Sequence, residues 1–329
     1  DKTMYLSLLE QQPDSLFYIR PRRFGKSLFI SMLQAYYDKA MSDRFDSLFG
    51  GLWVHEHPTP LRGRYQMLYL DFSQVGGDID QISTHFEEYC KVKLDGFMRK
   101  YQNEYPEVVV KAFFEIQTVS GKLALIRDNA GALRIPLYLI IDEYDNFTNI
   151  VLNEKGEEVY HAITHASGFY RDVFKKFKGM FERIFMTGVS PVTLDDLTSG
   201  FNIGTNYSLS SEFNEMMGFT ESEVREMLTY YSNTGHFNHT IDELIEIMKP
   251  WYDNYCFAQE CYGQTTMYNS NMVLYFVKNY IRYGEVPKDM VEDNIRIDYE
   301  KLRMLIRKDK EFAHDASIIQ TLISQGYIT

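Results

Sequence analysis

The stretch RPRRFGKSL, residues 20–28, joins a short apolar run, LFYI, to a segment, SLFISMLQAYY, with the spacing of a helix. An apolar run, a turn with Pro21 and Gly25, and a helix in this order predict a strand–loop–helix unit. Backbone N–H groups of such a loop and of the following helix N-terminus point at anions. Residues 20–28 therefore predict a phosphate-binding loop in an α/β fold.

The loop supplies the groups that a nucleoside triphosphate requires. Gly25 allows close approach of the backbone, Lys26 is predicted to reach the β- and γ-phosphates, and the Ser27 hydroxyl is predicted to bind Mg²⁺. We predict that ATP is the bound nucleotide. The residues predicted to hold it are Arg22, Arg23, Phe24, Gly25, Lys26, Ser27 and Leu28.

One position departs from the usual Walker A pattern, which is glycine, four residues, and then Gly-Lys-Ser or Gly-Lys-Thr. Arg20 stands in place of the first glycine. Taken alone, FGKS after a strand also fits a basic turn. The guanidinium groups of Arg20, Arg22 and Arg23 match phosphate oxygens, and the alternative is that they bind carboxylates of a neighbouring segment. Of the three, Arg23 is the favoured direct ligand.

A second element, YLIIDEYD at residues 138–145, gives the loop its interpretation. In P-loop ATPases an acidic residue at the end of another buried strand holds the Mg²⁺ shell, which is the Walker B role predicted for Asp142. The following Glu143 is predicted to orient and deprotonate the attacking water. The alternative is a strand that ends in an acidic turn. Adjacent Asp-Glu favours the ATPase branch over small GTPases and most nucleotide kinases.

A third element, FMTGVSP at residues 185–191, offers a sensor of the γ-phosphate at the end of a further strand. Thr187 is favoured over Ser190 for this role. A hydroxyl satisfied by backbone at a strand end is the alternative for Thr187. The predicted catalytic set is thus Lys26, Glu143 and Thr187.

Strands alternate with helical patterns through the first part of the chain, which predicts a doubly wound α/β fold. After residue 210 the pattern changes to helices only, and Thr220 with Glu223 forms a capping-box pattern. We predict an ATPase core over residues 1–210 and a helical lid and C-terminal region over residues 211–329. The strands are predicted at residues 16–19, 67–73, 136–145, 183–190 and 206–210, and the helices between them at 79–101, 107–128 and 159–178.

Composition excludes several classes of protein. No apolar run among the 329 residues approaches the roughly 20 residues that a membrane helix needs. Three cysteines cannot form a disulfide framework, so the cytoplasm is the expected location. The net charge of -12 argues against a surface that binds nucleic acid everywhere. The chain begins without Met and ends in QGYIT, so we expect both ends to continue in a longer protein.

Three other features of the sequence are weaker candidates for functional sites. The basic segment KLRMLIRKDK fits DNA binding by a winged-helix-like unit near residues 298–329, and a solvated helix face explains it equally well. Asp195 and Asp196 are interpreted as a helix N-terminus and not as a metal site. A loosely spaced zinc set is less favoured than surface histidines and packed cysteines, and it would consist of His236, His239, Cys256 and Cys261.

With these residues identified, the chain resembles the bacterial AAA-ATPase-like family, predicted ATPases that often precede a nuclease-like domain of the restriction-endonuclease type. The resemblance covers nearly the whole chain, and Arg20 in place of glycine is itself part of that family's loop. It is carried by DKTMYL at Asp1, RPRRFGKSLF at Arg20, LDFS at Leu70, LIIDEYD at Leu139, MTGVSPV at Met186, FNEMMGFTESEV at Phe213 and WYDNYCF at Trp251.

The resemblance implies a core of the AAA/STAND-like branch with strand order 5-1-4-3-2, followed by a helical lid. It also implies that residues 1–9 belong to the body of the core, with residues 3–6 as a plausible contact of the adenine. A nuclease-like partner domain is expected after Thr329, and no nuclease catalytic set is found within the chain.

Two functions remain open at this point. The first is a Mg²⁺-dependent ATPase that couples hydrolysis to lid motion and so switches a partner domain or a nucleic-acid substrate. The second is a nucleotide-binding switch or scaffold that hydrolyses slowly or not at all. An intact Glu143 favours the enzyme. The oligomeric state, and with it any arginine supplied by a second chain, is left open.

Overall fold

A computed structural model describes residues 1–76, 81–146, 150–151, 169–177, 179–189 and 204–291 of the chain. The chain divides into two compact units, Asp1–Met217 and Gly218–Thr329. Phe213 and Met216 pack into a core cluster of the first unit. The first unit therefore extends slightly past the boundary predicted near residue 211.

A five-stranded parallel sheet organises the first unit. Its order is β2-β3-β4-β1-β5, which is 5-1-4-3-2 when it is read from the β5 edge. The carboxyl ends of all five strands thus lie along one edge of the sheet, where ligands of open α/β sheets bind. The strands are β1 (Ser15–Ile19), β2 (Gln66–Asp71), β3 (Leu137–Asp142), β4 (Arg183–Gly188) and β5 (Thr205–Asn206).

Helices follow the strands, as the alternating pattern predicts. The single helical pattern at 107–128 forms two helices, because the Thr118 hydroxyl accepts a hydrogen bond from Gly121 N (3.2 Å) and starts a new one. Among the described residues, no helix is both long and apolar enough to cross a membrane. The helices are α1 (Tyr5–Glu10), α2 (Lys26–Tyr37), α3 (Phe45–Phe49), α4 (Trp53–Glu56), α5 (Ile82–Tyr101), α6 (Glu107–Glu115), α7 (Val119–Leu133) and α8 (Phe169–Phe177).

Strand β3 explains why its sequence is an unbroken apolar run. All six of its residues are buried, because both faces of the sheet are covered. Leu139 and Ile141 belong to one core cluster, and Tyr138 and Ile140 belong to the other. Each fully buried Leu or Ile side chain contributes about 1.5–3 kcal/mol to folding. The two hydrophobic layers keep β3 inside the sheet, and its pairing with β2 and β4 places Asp142 at the carboxyl end of the strand.

The N-terminal segment is part of the first unit, in agreement with the family resemblance. Leu6 and Leu9 lie in the same core cluster as Tyr18 of β1. The Asp1 carboxylate and the Thr3 hydroxyl accept hydrogen bonds from the first backbone N–H groups of α4, at 2.7 and 3.1 Å. Residues 1–9 are therefore tied to the body of the core through both packing and helix capping.

The second unit is not purely helical, so the prediction of helices only after residue 210 was wrong. A short antiparallel hairpin is formed by β6 (Asp253–Tyr255) and β7 (Met267–Tyr268). Strands of three and two residues are too short to show a period of two in the sequence. The predicted capping box of Thr220 and Glu223 is confirmed. The helices are α9 (Glu221–Asn233), α10 (Ile241–Tyr252) and α11 (Ser270–Tyr283).

Candidate phosphate-binding site

The loop after β1 leads directly into α2 at the carboxyl edge of the sheet. Gly25 precedes the helix with φ of 91°, a conformation that glycine adopts without strain. No side chain caps the helix at this end, and the first helical bond runs from Phe29 N to Gly25 O (3.0 Å). The first-turn N–H groups of α2, which has 12 residues, therefore face the loop. This is the backbone arrangement that binds anions.

The predicted phosphate ligands of the loop differ in their placement. Phe24 is fully buried and anchors the loop, so it can contribute to anion binding only through its backbone. Arg22, Ser27 and Leu28 are exposed, with Leu28 at 77% of its full accessibility. Arg23 has a positive φ of 68°, which costs a non-glycine residue about 1–3 kcal/mol.

Arg20 is a structural residue that points into the protein. Its guanidinium is fully buried and donates to the carbonyl oxygens of Ile19 (2.9 Å), Ser208 (2.8 Å) and Phe213 (2.9 Å). It also lies 4.0 Å from the ring centre of Tyr18. Burial lowers the pKa of Arg20 to about 10. These partners are backbone carbonyl oxygens, neither the phosphates nor the carboxylates that the sequence suggested.

Lys26 connects the loop with the second sequence element. Its ammonium group is buried and donates to the carbonyl oxygens of Arg20 (3.1 Å) and Pro21 (3.3 Å). The same nitrogen lies 3.5 Å from Glu143 Oε1, in an ion pair. The predicted phosphate-binding lysine and the predicted general base are thus neighbours.

The two predicted magnesium ligands also meet. Ser27 Oγ donates to Asp142 Oδ2 at 3.3 Å. Asp142 is only 3% exposed, and burial raises its pKa to about 6. The nearby charge of Glu143 is a second cause of this rise in the pKa of Asp142, while Lys26 opposes it. The carboxylate is held where its charge is poorly compensated.

Glu143 has an unusual backbone conformation. Its φ is 50°, and its N–H donates to Asp142 Oδ1 at 2.9 Å. In the described part of the chain the other non-glycine residues with positive φ are Arg23 and Arg134. Two of these three strained residues therefore lie at the candidate site, where strain is commonly associated with function.

Two residues of β2 belong to this site, although sequence reasoning missed them. Asp71 is the register partner of Asp142 at the ends of the two parallel strands. Tyr69 lies near Asp142 on the neighbouring strand, and its pKa is raised, first by burial and then by the charges of Asp142 and Asp71. The signal was present in LDFS, where an acid follows a buried strand as Asp142 does. The strand order makes these two strands neighbours.

Thr187 has the bonding of its alternative interpretation, a hydroxyl bonded to the backbone at a strand end, and its role as a γ-phosphate sensor stays a prediction. It is fully buried in β4, and its hydroxyl donates to Tyr18 O at 2.5 Å. The hydroxyl is thus bonded to the backbone of the neighbouring strand β1. Ser190, its alternative as a sensor, lies outside the described residues.

Gly188 and Asp145 also escaped prediction. A Cβ atom at residue 188 would lie 2.4 Å from Asp145 Oδ1 and 2.5 Å from the Tyr144 ring. The Asp145 carboxylate accepts hydrogen bonds from Val189 N at 3.2 and 3.3 Å, one to each oxygen. The turn that begins at Glu143 is therefore packed directly on β4, in a space that only glycine leaves open.

The family model described as "Predicted AAA-ATPase", AAA-ATPase-like, matches residues 1–198. The chain belongs to this family. The matched range contains Lys26, Ser27, Asp142 and Glu143. An Azotobacter chroococcum mcd 1 protein, described as "Uncharacterized protein in vnfD 5'region", is 27% identical over 227 residues. The alignment covers 68% of this chain and 40% of that relative, so the chain spans less than half the relative's length.

The remaining candidate sites of this AAA-ATPase-like chain do not form clusters in its described ranges. No group of three or more His, Cys, Asp or Glu side chains that could hold a metal occurs there. His239 is bonded to Tyr280 OH (2.5 Å), and Cys256 to Ala258 O (3.3 Å). Asp195, Asp196 and residues 298–329, which carried the alternatives of a metal site and DNA binding, lie outside the described residues.

The suggested adenine contact at residues 3–6 stays a prediction. Thr3 and Leu6 are buried in the core, while Met4 is 40% exposed. Tyr5 is half-buried, with its ring centre 6.4 Å from that of Phe213. Within this segment Met4 and Tyr5 are the side chains that a base could reach.

Proposed function

We propose that the chain binds ATP with Mg²⁺ and hydrolyses it, and that hydrolysis drives a conformational switch. The observation that carries this proposal is the pairing of two sequence elements more than a hundred residues apart. Lys26 Nζ lies 3.5 Å from Glu143 Oε1, and Ser27 Oγ lies 3.3 Å from Asp142 Oδ2. Membership in a family of predicted AAA-ATPases supports the same reaction class.

The loop and α2 bind the phosphates in this proposal. Backbone N–H groups of the first turn of α2 and the positive end of its dipole favour negative charge. Lys26 provides an ammonium group with three N–H donors, for which the β- and γ-phosphates compete with its present carbonyl partners. Arg22 and Arg23 add positive charge at the loop. Thr187 acts as a positioning residue, because its hydroxyl ties β4 to β1 beside the site.

The residues at this edge fit a magnesium ion. Burial raises the pKa of Asp142, and repulsion from the like charges of Glu143 and Asp71 adds to the rise. A divalent cation held by Ser27 and Asp142 relieves that repulsion. Mg²⁺ needs few protein oxygens, since water and phosphates complete its shell. When bound, it neutralises charge on the β- and γ-phosphates.

Glu143 is the proposed general base. Its side chain is 21% exposed, so water reaches the carboxylate. Attack of the water oxygen on the γ-phosphorus forms one P–O bond while the bond to the ADP oxygen breaks, and Glu143 accepts the proton of the water. The strained backbone of Glu143 and the packing of the following turn on Gly188 fix the direction of this side chain.

A second function is favoured by one specific observation. Glu143 is ion-paired with Lys26, so its carboxylate is engaged by the ammonium group and is less available to orient a water molecule. A chain in which this pair persists with ATP bound would act as a nucleotide-dependent switch with little hydrolysis. Control of a nucleic acid or of a nuclease-like partner by such a switch is part of the proposal in either form.

Phosphate release by the purified chain separates the two functions. We expect Glu143→Gln to lower the rate by about 100-fold or more, the usual contribution of a general base, while ATP affinity is retained. A titration with ATP and Mg²⁺ checks binding in both proteins. Equally slow phosphate release by wild type and variant, with intact binding, would refute the enzyme and leave the switch. Absence of ATP binding in the wild type would refute both.

A further inference from the structure

Arg20 makes hydrogen bonds through its backbone and also through its side chain. Its carbonyl oxygen accepts a hydrogen bond from Lys26 Nζ at 3.1 Å. Its guanidinium donates to the carbonyl oxygens of Ser208 and Phe213, at 2.8 and 2.9 Å. A single residue therefore connects the phosphate-binding lysine with a segment almost 190 positions later in the chain.

We call residues 208–213 the anchored segment. Two further bonds from β1 hold it, from Ile19 N to Ser208 Oγ (2.8 Å) and from Tyr18 OH to Phe213 O (2.5 Å). The anchored segment ends just before Met217, the last residue of the first unit. In sequence it therefore leads into the second unit.

The bonds of the Arg20 guanidinium form a stiff connection. The group is fully buried, so water cannot replace a lost carbonyl partner. Leaving a buried donor and acceptor unpaired is unfavourable, and more so when one of them is charged. If the Arg20 backbone moves, the anchored segment is therefore expected to move with it before these hydrogen bonds break.

Occupation of the phosphate site acts on the other side of Arg20. The Lys26 ammonium has three N–H donors, and two of them are used by Arg20 O and Pro21 O. A γ-phosphate is a stronger acceptor than a carbonyl oxygen and competes for the same donors. The backbone at Arg20 therefore has different partners with and without phosphate on Lys26, which is the differential contact that coupling requires.

Resting on the proposed function, we propose that Arg20 is a positioning residue that transmits occupation of the phosphate site to the anchored segment. ATP on Lys26 alters the bonding of the Arg20 carbonyl, and the guanidinium carries the change to Ser208 and Phe213. Arginine thus performs a task at this position that the glycine of the usual loop cannot. By linkage, any change in the anchored segment also alters ATP affinity.

Hydrogen exchange on the full chain tests the proposal. The reporters are the amides of Ser210 and Phe213, bonded to Tyr207 O and Ser210 O. We expect saturating Mg²⁺ and the slowly hydrolysed analogue ATPγS to change their exchange rates by roughly fivefold or more, the lower range of allosteric coupling. In Arg20→Met, which keeps the apolar length of the side chain, we expect bound ATPγS to change them by less than about twofold.

Arg183 provides a matched control in the same unit. Its guanidinium also donates to two backbone carbonyl oxygens, those of Leu9 (3.2 Å) and Glu10 (2.8 Å), at the opposite edge of the sheet. We expect Arg183→Met to retain the full effect of ATPγS on the reporters, even if it lowers stability. Arg20→Lys, which keeps the charge but loses the fork that spans two carbonyls, should show a reduced effect.

Each outcome decides the proposal. It is wrong if the wild type binds ATPγS and the reporters do not respond, a result that needs no variant and leaves the proposed function standing. It is also wrong if Arg20→Met or Arg20→Lys responds as the wild type does, or if Arg183→Met loses the response equally. Failure of the wild type to bind the nucleotide in a separate titration would overturn the proposed function as well.

Discussion

The two ends of the strands in the five-stranded sheet, which we call the amino edge and the carboxyl edge, differ in the partners that they give to buried carboxylates. At the amino edge, Asp38 accepts hydrogen bonds from Tyr101 OH and Ala40 N, both at 2.8 Å, and pairs with Lys100. At the carboxyl edge, Asp142 lies beside Glu143, a second negative charge, and its pKa is raised. One edge surrounds a carboxylate with donors, and the other places carboxylates together.

The contrast extends to the backbone and to the other charged groups. Glu10, at the amino edge, accepts hydrogen bonds from Thr59 Oγ1 (2.6 Å) and Tyr37 OH (3.0 Å). The carboxyl edge instead contains Arg23 and Glu143, both with positive φ. The positive-φ residues and the repulsion between carboxylates thus occur together at the edge where we propose that binding and chemistry take place. Variants of matched residues on the two edges can test this difference.

The largest effect is expected from Lys26→Met at the carboxyl edge. The variant removes the ammonium group that binds phosphate, so we expect ATP affinity to fall by at least about 100-fold, or roughly 2.7 kcal/mol. The measurement is a titration with ATP and Mg²⁺. Lys100→Met, which removes an ion-paired lysine at the amino edge, should leave affinity unchanged. Equal losses of affinity in the two variants would contradict the division between the edges.

The next effect is on stability, from Asp38→Ala at the amino edge. It leaves the buried Tyr101 hydroxyl and the Ala40 N–H without their acceptor, so we expect a loss of about 2.5 kcal/mol in the free energy of unfolding. Urea unfolding measures it. Asp71→Ala is the matched change at the other edge, where it also removes a repulsive charge near Asp142, and should cost less. A larger loss for Asp71→Ala would reverse the comparison.

The smallest effect is a gain of stability in Asp142→Asn, and it depends on pH. The pKa of Asp142 rises on folding from 3.8 to about 6, so the folded chain binds more protons between these values. Wild-type stability should therefore fall relative to the variant as pH rises, by roughly 2 kcal/mol between pH 4 and pH 7. Urea unfolding of both proteins at pH 4 and pH 7, without Mg²⁺, checks the sign. A constant difference would show that the Asp142 charge costs nothing.

The sequence was sufficient to predict the part of the site that depends on parallel strands. Once β1 and β3 were identified as parallel strands, the residues after them were expected at the same carboxyl edge. The order β3-β4-β1 then brings Lys26 to Glu143 and Ser27 to Asp142. The buried strand β3 was readable because both of its faces are apolar.

The remainder depended on contacts between distant segments that no local pattern encodes. The partners of Arg20 are the carbonyls of Ser208 and Phe213, and a carbonyl group is common to every residue type. The bond from Thr187 to Tyr18 O follows from strand register, which alternation of residues alone does not specify here. The hairpin of β6 and β7 was too short to show a period.

Gly188 has a consequence for how this protein can change over generations. The Tyr144 ring and the Asp145 carboxylate fill the space that a methyl group at residue 188 would need. A larger residue at 188 therefore requires that both Tyr144 and Asp145 first move or be replaced, so the order of substitutions decides whether intermediates survive. The turn after Glu143 and the end of β4 therefore have to change together, because the effect of a substitution at one of these positions depends on the residues at the others.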